Sequence, residues 1–460
     1  MKLNVFVSGR AVATLESNDN FEHHLTYLAS ADPKDLVSLQ MPARKLAWTW
    51  PALHPFFQMN WPDEFLLSTL KEQLGHRLGA GPLNLLAVVG HQLPGRVCVS
   101  KTDTAAANLV LPSLRSLLSG RSSQETYLDL VSQSITVGLP GLPQKPLSRE
   151  TKMMFQKGSV YTAGHIVKAS SARQPFLALN EHLCLQACAA TGYQTTKTQV
   201  SEDGQVLLVE RCDINAESGQ HQGFEDFCSL LGLPPDNRYD SSWERQARLA
   251  RDYIIPDRLR QANEQLAVTL LLSLVLGNSD QHSKRLAFVY RTVDDVQLAP
   301  ISGMLTTLAH ERDAAKAPGL YLDGKKSWDP GASLWRYLQQ HLGLENARQR
   351  ELADLVCTSV SGQVPTLMHH INQTPGFAQL GRSMLSQWND GLKRLRARLT
   401  VPLPDFSTLS NSTDSRQHEP QPALEVGDRH ETPATSPKKR PARSHRAAPP
   451  DAAQLKLLFE

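Results

Sequence analysis

The residues best placed to do chemistry stand in one run, Gly277-Asn278-Ser279-Asp280-Gln281-His282-Ser283-Lys284-Arg285. A strongly apolar stretch ends at a glycine, and a polar turn follows that carries one Asp, one His, one Lys and one Arg. A carboxylate held on such a turn can orient an attacking hydroxyl and accept its proton, which makes Asp280 a candidate general base. The same run also reads as an ordinary helix end closed by glycine with a polar turn after it. These residues alone leave both readings open.

Three earlier segments bear on the choice. Gly138-Leu139-Pro140-Gly141-Leu142-Pro143-Gln144-Lys145 is a Gly/Pro loop whose backbone N–H groups could cover phosphates. His165-Ile166-Val167-Lys168 puts an ammonium at the end of a β-run, either to meet phosphates or simply to be solvated. Leu208-Val209-Glu210-Arg211-Cys212-Asp213 ends a second β-run, where backbone groups could meet an adenine edge. The order of phosphate loop, strand lysine, hinge and catalytic loop is that of a bilobal protein kinase.

The elements that must position these residues can be read coarsely. Asn4 to Val7 and Ala11 to Leu15 flank Ser8-Gly9-Arg10 as a hairpin, and leucines at helical spacing mark residues 65–78. Leu85 to Gly90 leads to a short strand at Arg96 to Val99, and residues 101–131 read as a connector. A second α+β unit spans 132–223, with a helix over 179–191 and a strand pair, 197–200 and 206–210, about the turn Glu202-Asp203-Gly204. From 224 to 400 helices dominate, interrupted by one hairpin, 286–290 with 296–299, that places Asp294 and Asp295 at its tip. Leu266 to Leu276 fits a buried helix. The last helix carries Leu380, Met384, Trp388, Leu392, Leu395 and Leu399 as its apolar stripe. Lys393, Arg394, Arg396 and Arg398 lie mostly off that stripe, as a solvated face or a surface for nucleic acid or a partner. The expected class is α+β with helix in excess.

On these segments the sequence resembles the HipA-type toxins, serine/threonine-kinase-like partners in bacterial toxin–antitoxin systems. The resemblance covers about residues 3 to 400. It is carried by Leu139-Pro140-Gly141, His165 to Lys168, Asn180-Glu181-His182-Leu183-Cys184, Leu208 to Arg211, Phe224 to Cys228 with Leu231 to Pro235, and Leu276 to Asp280. The first hundred residues look like that family's N-terminal domain. The resemblance implies that Pro140, Gly141, Leu142, Gln144 and Lys145 cover the triphosphate of ATP, and that Lys168 holds it. It implies further that Glu210, Arg211 and Cys212 meet the adenine, that Asp280 is the base, and that His282 and Lys284 sit beside the nucleotide. A small DNA-binding antitoxin is the implied partner; no helix-turn-helix is evident in this chain itself.

The departures from the family fall on the chemistry. Where the resemblance implies an Asn as a magnesium ligand, the chain has Arg285. After Leu298-Ala299-Pro300, where an Asp is implied as the principal metal ligand, it has Gly303, and the regulatory Ser of the phosphate loop aligns with Gly138. Magnesium takes oxygen donors in near-octahedral geometry, and a guanidinium offers none. Arg285 could instead pair with phosphate oxygens. The expectation is a HipA-like pseudokinase or impaired Ser/Thr kinase that binds a partner and possible ATP, with magnesium doubtful. The alternatives are an active kinase toxin using Asp280, and an interaction protein that works without nucleotide.

Composition sets the outer bounds. The chain has 460 residues, 48 Lys plus Arg against 45 Asp plus Glu, and a formal charge of +3, so overall charge does not indicate a polyanion binder. No apolar run approaches the ~20 residues of a membrane span, and no secretory signal is evident at the start. Six cysteines without zinc spacing read as reduced thiols of a cytoplasmic protein. Residues 401–460 turn rich in Pro, Ser, Thr and Ala, which cannot offset the entropy of folding, and are expected to be disordered. The tail holds a basic knot, Lys438-Lys439-Arg440 with Arg443 and Arg446, suited to salt-sensitive DNA contact. It closes on Gln454, Leu455, Leu457, Leu458 and Phe459, which resemble the peptides that dock on a replication sliding clamp; a tip folding back on its own domain is the other reading.

Overall fold

The computed structural model describes residues 1–18, 22–43, 45–59, 61, 81–101, 114–119, 125–127, 129–130, 159–171 and 174–397. The expected helix at 65–78, the Gly/Pro loop with Pro140, Gly141, Leu142, Gln144 and Lys145, and the tail with Gln454, Leu455, Leu457, Leu458 and Phe459 lie outside them.

The chain opens with a hairpin, β1 (Lys2–Val7) and β2 (Arg10–Ser17), in antiparallel register from Lys2 opposite Glu16. Its two-residue turn needs positive φ at both positions, and Ser8 and Gly9 supply it at +50° and +78°. Strands β3 (His23–Tyr27), β4 (Ala47–Trp50) and β5 (Val97–Ser100) complete an antiparallel sheet ordered β4-β3-β2-β1-β5. Helix α1 (Pro82–Val89) contributes Leu83 and Leu86 to the core of this sheet, among Leu15, Leu25 and Phe57.

A second antiparallel sheet, ordered β6-β7-β9-β8, is built from β6 (Ser159–Tyr161), β7 (His165–Ala169), β8 (Thr198–Val200) and β9 (Val206–Glu210). Between β7 and β8 runs α2 (Leu177–Ala189), two residues earlier than its apolar pattern suggests. A third sheet is less legible in sequence. Its hairpin, β11 (Ala287–Tyr290) with β12 (Gln297–Leu298), is where the alternation places it. The partner strand β10 (Gly223–Asp226) carries two adjacent acids, which are poor strand formers. Tertiary burial overrides that preference, because the Tyr290 hydroxyl donates to Glu225 from the neighbouring strand at 2.5 Å.

The C-terminal part is built mainly on helices, α3 (Trp243–Tyr253), α4 (Pro256–Leu276), α5 (Ala332–Gln340), α6 (Asn346–Gly362), α7 (Val364–Gln373) and α8 (Ala378–Arg396), with a largely irregular stretch over 299–331. Every residue of α4 from Gln265 to Leu276 is buried, as its all-round apolar sequence requires. Helix α8 crosses it at Gly391, where an added Cβ would stand 2.0 Å from the Val275 carbonyl oxygen. That crossing fixes the last turn of α4 and the polar run after it. Asp294 and Asp295 do fall in the β11–β12 connection, but Asp295 is bonded by Arg258 at 2.5 Å and Arg291 at 2.7 Å. All six cysteines are free thiols, and among the described residues no helix is long and apolar enough to cross a membrane.

Candidate active site

Helix α4 ends at Gly277, whose φ of +69° is the left-handed closure the sequence suggests. The next residues are fastened from below by the segment after Gly303. The Thr307 hydroxyl donates to the Gly277 carbonyl at 2.9 Å, and the Ser279 N–H donates to Thr307 Oγ1 at 2.6 Å. Asn278 accepts the Asp280 N–H at 3.0 Å, which turns the Asp280 side chain outward from this base. Gly319 closes over the other side: a Cβ there would lie 2.2 Å from the Gln281 carbonyl oxygen.

Both oxygens of the Asp280 carboxylate are engaged. Arg285 Nη2 donates to Oδ2 at 2.7 Å, and the Tyr239 hydroxyl donates to Oδ1 at 2.5 Å. His282 Nε2 lies 3.8 Å from Oδ1 and stands edge-on to the Tyr239 ring at 4.9 Å between centroids. Burial, and then the Asp280 charge, push the Tyr239 phenol well above its usual range, so it stays a donor. A hydroxyl that is to lose its proton to Asp280 must therefore share an oxygen with a phenol or a guanidinium. Gly303 lies against the same guanidinium. It has φ of +62°, and a Cβ on it would be 2.7 Å from Arg285 Nη1 and 3.0 Å from Cζ. The two departures read from the sequence are thus in contact, and the Arg fills the space a side chain at 303 would take.

The other candidates divide. Lys168, on β7, pairs with Glu181 of α2, whose carboxylate is buried. A strand lysine paired with a carboxylate on the following helix is a part that protein kinases need in place. Next to Glu181, Asn180 fastens α2 to the segment after Gly303: it accepts the Thr306 N–H at 2.9 Å and donates to the Thr306 carbonyl at 3.1 Å. Arg211 is turned inward, donating to Asp213 through Nε at 3.0 Å and Nη2 at 2.5 Å and to the Thr162 carbonyl through Nη1 at 3.0 Å. Glu210 is exposed beside Lys197 at 3.7 Å, and burial pushes the Cys212 thiol up to about 12. Lys284 points away from Asp280; its ammonium donates to Asp226 Oδ2 at 3.0 Å and to the Met59 carbonyl at 2.8 Å.

The structure therefore brings Asp280, His282 and Arg285 together, and sets Arg211 and Lys284 in separate ion pairs. Tyr239 and Glu181 are the site residues that sequence reasoning missed. Glu181 was legible in principle, as the acid on the first helix after the strand lysine. Tyr239 was not, because it comes from an irregular stretch before α3 with no periodicity. Among the described residues, no group of three or more His, Cys, Asp or Glu side chains converges as a metal site. Arg285 holds a positive charge against Asp280 and Gly303 offers no side-chain donor, so these side chains do not fit a magnesium ion.

Comparison with known proteins bears on the family and the fold. The family model of the HipA N-terminal domain matches residues 3–100, and that of the HipA-like C-terminal domain matches residues 139–364. A Sinorhizobium fredii protein called "Putative kinase Y4mE" is 26% identical over 343 residues, covering 67% of this chain and 78% of that protein. A second from the same organism, "Putative kinase Y4dM", is 23% identical over 282 residues, covering 56% of this chain and 63% of its own length. Among solved structures, HipA from the Shewanella oneidensis MR-1 toxin–antitoxin complex of HipA, HipB and operator DNA superposes with a TM-score of 0.60 at 16% identity. That match covers 87% of this chain and all of the HipA chain, so the fold is a HipA fold. With both of that family's domains matched in order over most of its length, the chain belongs to the HipA family.

Proposed function

We propose that this chain is a HipA-family pseudokinase, a cytoplasmic protein that acts by recognition rather than by rapid phosphoryl transfer. The observation that carries this reading is the Asp280 carboxylate, held by Arg285 at 2.7 Å and Tyr239 at 2.5 Å over the bare backbone of Gly303. Phosphoryl transfer draws most of its acceleration from positioning and from neutralising charge on the transferred group, and metal ions bridging the phosphates are the main neutralisers. A base bonded on both oxygens, beside a position that offers no metal donor, supports binding over turnover. The partner is a small DNA-binding protein of the HipB kind, a reading supported by the assembly in which the Shewanella HipA was solved. The Lys168–Glu181 pair favours a nucleoside triphosphate as ligand.

The test is transfer of radiolabelled phosphate from ATP with magnesium by the full chain, to itself and to added protein, with and without a HipB-type partner. The expected result is no transfer above that of Asp280→Ala, together with a stable complex in size-exclusion chromatography. Robust transfer that Asp280→Ala abolishes overturns the reading.

A further inference from the structure

We infer that Arg285 is a built-in cation for the nucleotide site, so that a nucleoside triphosphate is taken up without a divalent metal. This deepens the nucleotide-binding part of the reading above and rests on it. The first support is charge. An unpaired carboxylate at Asp280 would repel a polyphosphate, and Arg285 neutralises it at 2.7 Å. The second is space. Arg285 Nη1, Cδ and Cζ lie 2.7, 2.9 and 3.0 Å from where a Gly303 Cβ would be, so the guanidinium fills the volume that an acidic side chain would need. A side chain at 303 and the Arg285 guanidinium exclude each other, so the Gly and the Arg act as one device.

The third support is placement. Arg285 ends a short 3-10 turn, Ser283–Arg285, and its N–H donates to the His282 carbonyl at 2.9 Å, so the side chain leaves a fixed backbone. A guanidinium presents five N–H donors in a rigid fork, enough to hold a carboxylate on one edge and a phosphate on another. Lys168, on β7, is a second cation, and it is paired with Glu181. A divalent ion entering beside Asp280 would meet a like charge already bonded there, and gains nothing from Gly303.

The deciding measurement is isothermal titration of the full chain with ATP, in EDTA and in excess magnesium. The expected result is the same dissociation constant in both, within roughly threefold. Arg285→Ala should lose about tenfold or more of the affinity in EDTA, and Arg285→Lys should recover part of it. Binding about tenfold tighter with magnesium than in EDTA overturns the inference. So does unchanged affinity in Arg285→Ala, and so does an absence of ATP binding in both buffers. That last outcome leaves partner recognition standing, because complex formation and phosphotransfer are read separately. Should Arg285→Ala fail to fold, the wild-type comparison decides alone.

Discussion

At the scale of single residues, Asp280 and Arg285 are each other's counter-charge in a place where water is scarce. Their side chains are 15% and 19% exposed, so removing one partner leaves the other only partly rehydrated. Asp280→Asn keeps the shape and deletes the charge, and should cost about 2 kcal/mol of stability, read as a shifted urea midpoint at constant slope. The decisive form is a double-mutant cycle with Arg285→Met. Coupling of roughly 1–3 kcal/mol is expected, and additive losses would mean that the pair does not persist in solution. Asp280, Arg285 and Gly303 were legible in sequence because the family order of segments aligned them. The Tyr239 bond was not, because it joins Asp280 to a residue 41 positions away in an irregular stretch that no local pattern marks. Nor did sequence foretell that Lys284 would turn to Asp226, since its partner is brought there by a strand whose own formation was unforeseen.

At the scale of elements, what was read correctly shared one property, a local signal at both ends. The β1–β2, β8–β9 and β11–β12 hairpins each follow from alternation broken by turn residues, and α4 from a long apolar run closed by Gly277. The strands β3 and β4 carry His and Trp in place of an apolar alternation, and β10 carries adjacent acids and pairs with β11, whose residues lie more than 60 positions further along the chain. The course of the polar run after Gly277 depends on the α4–α8 crossing. Gly391→Ala would drive a Cβ to within 2.0 Å of the Val275 carbonyl oxygen, an atom of helix backbone that cannot step aside. The expected cost is about 3 kcal/mol or more, seen as a large fall in melting temperature. Gly362→Ala is the control: a Cβ there meets nothing within 4 Å, and the change should be neutral or stabilising by about 0.5–1 kcal/mol. Equal effects from the two would show that the helices do not pack this closely.

At the scale of the whole molecule, the N-terminal sheet domain is joined to the kinase-like part by polar bonds, some of them buried, and not by apolar surface alone. The Gly95 N–H donates to Asp213 at 2.6 Å, Lys284 reaches the Met59 carbonyl at 2.8 Å, and Arg96 reaches the Arg291 carbonyl at 2.8 Å. The centre of the joint is Glu225 on β10. Ser38 Oγ at 2.7 Å and the Leu39 N–H at 2.6 Å donate to it from the N-terminal domain, and the Tyr290 hydroxyl donates at 2.5 Å from β11. Asp226 adds a like charge, and Arg96 lies over the ring of Tyr290. Burial dominates and raises the Glu225 carboxyl from 4.5 to about 7, the three donors opposing it only in part. A carboxyl whose folded pKa is raised binds more protons folded than unfolded between those values. Its contribution is therefore fully present below pH 4.5 and is lost as pH climbs to 7, by about 3 kcal/mol in all. His54 and His182, which burial depresses to about 4, act with the opposite sign over part of the same range, since folding then favours the neutral ring and stability rises with pH. The wild-type profile alone would hide the effect, and the difference between Glu225→Gln and wild type isolates it. Urea unfolding across pH 4.5 to 8 should show the variant gaining on wild type as pH rises, by about 3 kcal/mol in total, because the amide has no charge to bury. Parallel profiles for the two proteins would mean that Glu225 titrates normally, and that the joint between the domains is open to water.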